Sequence, residues 1–286
     1  MIHRFAKIGF LVLVAIVYCL PVMAQQRPLL TEDVEIIKPG MIRIETGFEF
    51  LQKQTFPLSG LRGDVTRIAD TRLSFGLAPN VEFQVEWTPQ TFLSIKNRSA
   101  TPLSLKLGAN ASDTNSVGDA TLWMKIKVRN ESARLPSLGF RFGMQLPNSD
   151  ETRGIGTNTT NVFGMVTIGK KFDGEKVNLF GNLGVGILQT PLSNFSQNDV
   201  LLYGLASIYK VNDNLNLVGE VNGRHSTRKR APLGTEDLSQ ARLGAQIRAL
   251  GVRFNAAGVF GLSTNAPKTG VVVGITYDWD AFTPVK

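Results

Sequence analysis

The chain has 286 residues, with 19% charged and 43% hydrophobic side chains, a balance that excludes both a disordered polyampholyte and a helical membrane protein. Its one cysteine, Cys19, lies in the only long apolar window, so disulfides, cysteine nucleophiles and Cys-based metal sites are excluded beyond it. With two histidines in all, His3 and His225, a histidine-rich metal centre is not expected either, and no cofactor is implied.

Residues 1–24 carry Arg4 and Lys7, then 13 residues from Ile8 to Leu20 that are apolar in character, then Pro21, Val22 and Ala24. This is the layout of a cleaved export signal, and the stretch is shorter than the roughly 20 residues that span a bilayer. The mature chain would keep 29 basic and 23 acidic side chains, a net charge of +6. Export argues against nucleic acid as the partner of that excess. Residues 25–40 are expected to form an N-terminal periplasmic segment.

From Met41 the pattern turns to period two, which is the mark of strands with one apolar and one polar face. In Met41–Phe50, Ile42, Ile44, Thr46, Phe48 and Phe50 alternate with Arg43, Glu45, Gly47 and Glu49. Val81–Trp87, Ala120–Arg129 and Ala241–Arg248 alternate in the same way. Twelve strands are expected, near 41–50, 63–77, 81–87, 118–129, 137–146, 162–171, 177–188, 199–209, 215–224, 239–249, 252–262 and 270–279. The sixth and eighth are apolar on both registers, which leaves their facing open. No helix is expected after residue 40.

The connections run 12, 3, 30, 7, 15, 5, 10, 5, 14, 2 and 7 residues, long and short in turn. Ala78-Pro79-Asn80, Asp173-Gly174 and Asn212-Asp213-Asn214 give the short ones turn chemistry. Short periplasmic turns and long external loops are what an up-and-down transmembrane antiparallel β-barrel predicts, because strands cross lipid only when every backbone polar group is paired. Phe50, Trp87 and Phe260 near one set of strand ends, and Phe75, Tyr277 and Trp279 near the other, suit headgroup-level girdles. The fold class is therefore all-β: a barrel over 41–279 with a tail over 280–286, in the outer membrane of a Gram-negative cell.

RPLLTEDVEIIKPGMIRIETGFEF (27–50), SVGDATLWMKIKV (116–128), FRFGMQLPN (140–148), NDVLLYGLASIY (198–209), LVGEVNGR (217–224) and PLGTEDLSQARLGAQIR (232–248) resemble one group of Gram-negative outer-membrane proteins. This is the "MetA-pathway of phenol degradation" family of transporter-like barrels. The resemblance covers nearly the whole mature chain and implies a transporter-like barrel. It implies no phenol chemistry and supplies no catalytic residues.

If apolar side chains face lipid, the alternate positions line a lumen. The basic candidates are Arg43, Arg72, Lys125, Lys127, Arg129, Arg141, Arg224, Arg242, Arg248 and Arg253. The acidic ones are Glu45, Glu49, Asp70, Glu82, Glu86, Asp119, Glu220 and Asp278, with Trp123 as a constriction, a solute platform or a packed wall residue. Two readings stand side by side. Ten bases and eight acids could satisfy one another and partly plug the interior. Alternatively, acids on the first three strands and bases on the fourth, fifth, tenth and eleventh could face each other across water as a pore field. Twelve tilted strands at about 4.8 Å spacing make a cylinder roughly 25 Å across, narrowed by side chains to about 10 Å. That admits small solutes.

The third connection, 88–117, carries Phe92, Leu93, Ile95, Leu103, Leu105 and Leu107. It could constrict the mouth, extend the third and fourth strands, or form a hydrophobic landing site. His225-Ser-Thr-Arg-Lys-Arg230 suits a solvated loop or lipid A phosphates. Adjacency of His225 and Ser226 does not supply the geometry of a triad, and no enzyme is expected. Asn148–Asp150 with Glu151 offers oxygen ligands without EF-hand spacing. The expected function is passive passage of a small-molecule solute through a charged lumen, with outer-membrane lipid as the surrounding partner. The alternative is a closed structural, adhesive or lipid-binding barrel.

Overall fold

The computed structural model describes residues 27–192 and 196–283. The expected export signal, 1–24, lies outside the described residues. Fourteen strands form one sheet: β1 (Met41–Phe56), β2 (Leu61–Ala78), β3 (Val81–Trp87), β4 (Gln90–Arg98), β5 (Asp113–Ser116), β6 (Thr121–Arg129), β7 (Ser137–Gln145), β8 (Asn161–Phe172), β9 (Val177–Gln189), β10 (Gln197–Lys210), β11 (Leu215–Ser226), β12 (Leu238–Ala249), β13 (Val252–Gly261) and β14 (Thr269–Asp280). Each pairs antiparallel with its neighbours, and β1 pairs with both β2 and β14, which closes the barrel.

The wall has twelve staves, because β3 and β4 share one side of β2. Thr71–Ala78 of β2 pairs with β3, and Leu61–Ile68 pairs with β4. Thr88-Pro89 separates the two, since proline has no N–H to give to the ladder. On the next stave β5 continues β6 in the same way, pairing with β4. The 88–117 connection therefore extends the third and fourth staves, one of the three arrangements the sequence leaves open. The only helical turn among the described residues is a 3-10 turn at Glu151–Arg153.

The two faces are inverted relative to a soluble protein. Phe48, Ile68, Phe142, Leu183, Leu205, Leu243, Phe254 and Val271 are exposed on the outside, and Leu183 and Leu205 each reach 59%. Arg43, Glu45, Arg72, Glu82, Lys125, Arg141, Glu220 and Arg242 are buried inside. An apolar belt around a charged interior is stable only when lipid covers the belt, so the barrel spans a membrane. The sixth and eighth staves resolve on this rule. In β8, Val162, Val166 and Ile168 face lipid and Thr167 is buried. In β10, Leu201, Leu205 and Tyr209 face lipid and Asn198, Val200, Ala206 and Ile208 are buried.

The interior is filled from both ends. At the external end Leu51, Leu61, Val65, Leu93, Ala257, Val259 and Val272 form a buried apolar cluster, joined by Ile95, Leu105 and Leu107 of the third connection. This accounts for the apolar character of a loop that would otherwise be solvated. Below it, residues 28–40 do not lie beneath the barrel as a free periplasmic segment. They run inside the lumen, with Leu29, Thr31, Glu32, Asp33, Val34 and Ile37 at most 2% exposed.

Candidate functional site

The lumen segment rises from Gly40 toward Leu30 and is held by side chains from around the wall. At its lower end the Ile37 N–H donates to Glu82 Oε2 at 2.9 Å, and Lys127 Nζ meets Glu35 Oε2 at 2.8 Å. At its centre Glu32 takes Lys125 Nζ at 2.7 Å and Gln84 Nε2 at 3.0 Å, with Arg72 and Arg141 guanidinium nitrogens each at 3.6 Å. Asn182 grips the backbone of the same residue from both sides, accepting from the Glu32 N–H and donating to its carbonyl, each at 2.7 Å. Near the top, Glu220 accepts the N–H groups of Leu30 and Thr31, each at 2.8 Å. Arg242 and Gln246 donate to the carbonyls of Pro28 and Arg27, at 3.0 and 2.6 Å. A segment with no regular structure thus has its polar groups met by the wall, as burial requires.

The wall charges pair among themselves as well. Arg43 makes a two-point contact with Asp278 at 2.6 and 2.8 Å. Arg72 and Arg141 share Glu86 at 2.7 and 2.8 Å. Glu49 lies between Arg67 and Arg242, and Glu45 lies 3.7 Å from Arg253 and 3.8 Å from Arg72. Asp70 takes Arg27 at 2.9 Å. This is the self-satisfying network, and the opposed arcs of a water-filled pore field do not occur in this conformation. The basic arc of β6 and β7 is neutralised by Glu32 and Glu35 of the segment, which the sequence reading placed in the periplasm.

Other candidates fall elsewhere. Arg129 is exposed at the lower rim, where Nε donates to Pro136 O. Asp119 does not line the lumen. It ties the external loops, accepting the N–H groups of Asn148, Ser149 and Asn158 at 3.1, 2.8 and 3.3 Å. Arg248 sits near the lower end of β12. Asn148, Asp150 and Glu151 spend their oxygens on Ala120, Thr152 and Asn158, and the described residues contain no metal-holding cluster. His225 bonds Asp237 at 2.9 Å on the exposed side of β11, whereas Ser226 is buried on the other side against Asn198. The two point to opposite faces, so they form no base–nucleophile pair.

Trp123 is a packed wall residue that also borders open space. Its ring lies over Gly143, where a Cβ would come within 2.2 Å of it, and it stacks on Phe163 at 5.3 Å. The Arg141 guanidinium carbon sits 3.9 Å from the ring centroid, a cation–π contact. Two adjoining cavities among the described residues lie above the segment. The outer one, about 390 Å³, lies among the external loops and is bordered by Leu30, Leu51, Phe56, Ile155, Arg224 and Leu238. The inner one, about 300 Å³, is bordered by Leu30, Trp123, Phe163, Asn182, Arg224 and Leu238. Leu30, Arg224 and Leu238 belong to both and form the neck between them.

No family model matches the chain, and no curated protein sequence does. Among solved structures, an outer membrane channel from Pseudomonas putida F1 is similar at TM-score 0.55 and 17% identity, over 86% of this chain and 98% of that one. The NanC porin aligns at TM-score 0.49 and 9% identity, over 85% of this chain and 99% of the other. The first of these likenesses agrees with the closed outer-membrane-type barrel described above.

Proposed function

We propose that the protein is an outer-membrane channel for small solutes, closed on its periplasmic side by its own residues 28–40 and accessible from outside through the lumen above them. The observation that carries this reading is the pair of cavities stacked between the external loops and the segment. A barrel with a purely structural role needs no such space. The described likeness to an outer membrane channel supports the same reading, as does the family resemblance of the sequence segments. Passage in this reading is passive diffusion through the lumen. Conduction then requires the segment to shift, and the wall network supplies a closed state of defined geometry. Neutralising Lys125, Lys127 and Arg141 would therefore loosen this segment.

A reversible lock tests the proposal. A Cβ built at Gly204 lies 3.2 Å from Thr31 Cβ, about 0.6 Å closer than the roughly 3.8 Å usual for a disulfide, so the segment needs to move out by about that much for the link to form. The double variant Thr31→Cys, Gly204→Cys should close the link on oxidation. Planar-bilayer recordings should show discrete conductance steps in the wild type and the reduced variant, and near silence in the oxidised one. Equal conductance in both redox states would mean that ions pass without movement of the segment. Silence of a correctly folded wild type would favour the closed structural barrel.

A further inference from the structure

The bases that border the two cavities are matched to carboxylates, with one exception. Arg67 and Arg242 hold Glu49, and Arg72 and Arg141 hold Glu86. Arg224, at the neck, has no carboxylate within ion-pair distance among the described residues. Its Nε donates to Glu236 O at 2.8 Å and its Nη2 to Gly234 O at 3.3 Å. Those carbonyls orient the guanidinium without neutralising it, and among the described residues Nη1 has no hydrogen-bond partner. The Glu236 carboxylate is occupied by the Gly234 N–H, which lies 3.0 Å from both of its oxygens. Asp237 is taken by His225 and the Ser226 N–H. An oriented, charged fork thus stands between two chambers that each have an apolar side, Phe56 and Ile155 in the outer one, where Glu49, Asp70, Glu236 and Asp237 also border the space and are taken by other donors, and Trp123 and Phe163 in the inner one.

We propose that the neck is a binding site for small amphipathic carboxylates, with Arg224 anchoring the carboxylate and the cavity walls taking the apolar body. A guanidinium presents paired donors that match a carboxylate, and an apolar pocket with a few fixed polar groups is the usual form of a small-ligand site. The two volumes suit a chain or ring of modest size and exclude a folded macromolecule. The cationic and neutral analogues of the same body lack the negative charge that would match Arg224. This assignment rests on the channel reading for its biological meaning, since the bound carboxylate would be the solute, but the binding itself is measurable without any current.

Equilibrium binding of radiolabelled octanoate to the barrel in lipid nanodiscs, with empty nanodiscs subtracted, tests it. Saturable binding is expected, displaced by unlabelled octanoate and not by octylammonium or octanol. Arg224→Gln should weaken it about tenfold to a hundredfold, the range for losing a charge-assisted contact. Glu236→Gln keeps an acceptor for the Gly234 N–H and removes a negative charge close to Arg224, so it should tighten binding severalfold. That gain cannot arise from misfolding. Displacement by octanol as readily as by octanoate, or binding unchanged in both variants, would overturn the site. Charge-selective binding by a barrel that never conducts would overturn the channel reading and leave the site standing.

Discussion

Glu32→Gln isolates the contact that holds the lumen segment in place. The side chain is 0% exposed and touches Lys125 and Gln84 directly, with Arg72 and Arg141 a little further off. The amide keeps the shape and the ability to accept one hydrogen bond, but it removes the negative charge at the centre of three cations. Removing one partner of a buried pair costs about 3–5 kcal/mol. Here the loss is partly offset, because Lys125 retains Glu82 at 3.4 Å and the Glu35 carbonyl at 2.7 Å, while Arg72 and Arg141 retain Glu86. A cost of about 2–3 kcal/mol remains, which shifts the docked-to-undocked ratio of the segment by roughly 30- to 150-fold at 1.4 kcal/mol per tenfold. The wall pairing is untouched, so the barrel itself should stay folded. Single-channel recordings should therefore show a large rise in open probability, with unchanged heat-modifiable migration of the folded barrel on gels. Adding Lys125→Met to Glu32→Gln removes the stranded cation and should return part of the closed population. An unchanged open probability for Glu32→Gln, with the variant folded, would refute the idea that this ion cluster sets the closed state.

Two further outcomes follow from the wall. Leu183 lies at the middle of β9 and faces lipid, so Leu183→Arg should lower barrel stability by about 2–4 kcal/mol, read as a reduced urea midpoint for folding into vesicles, whereas Asn182→Asp on the lumen side of the same strand should leave the lipid face intact. Gly143→Val would drive a side chain into the Trp123 ring, which Phe163 and Arg141 hold from other directions, and overpacking of this kind costs about 1–3 kcal/mol. Its near-ultraviolet circular dichroism should change, and Trp123→Ala in the same chain should restore the thermal midpoint; a single variant as stable as wild type would place the ring elsewhere.

Strand positions were legible because lipid outside and a polar lumen inside impose period two on nearly every stave. The span 81–87 is recovered at both ends, and most others fall within three residues of the structure. β4 and β5 were not, since Thr88-Pro89 interrupts the alternation just where the stave bends. The lumen segment was illegible for a different reason. RPLLTEDVEIIKPG has no periodicity, and carboxylates in such a stretch read as solvated. One signal did point to it. The wall candidates count ten bases against eight acids, and Glu32 and Glu35 answer bases of that surplus on β6 and β7. Most of the candidates chosen by alternation face inward or the rim, but alternation reports facing only. It cannot say that the partners of those charges lie in a segment outside the strands.

The lumen segment also spans the place where the two ends of the sheet meet. Its contacts include Asp70 and Glu82 on β2 and β3, on one flank of the β1–β14 pairing, and Glu220, Arg242 and Gln246 on β11 and β12, on the other. It therefore acts as an internal strap across the closing seam. Pulling β14 away from β1 must strain those contacts as well as the ladder, so the junction between chain ends is reinforced from within. A circular permutant that joined the present ends and opened a hairpin on the far side would move the seam away from its strap and leave the new one held by its ladder alone.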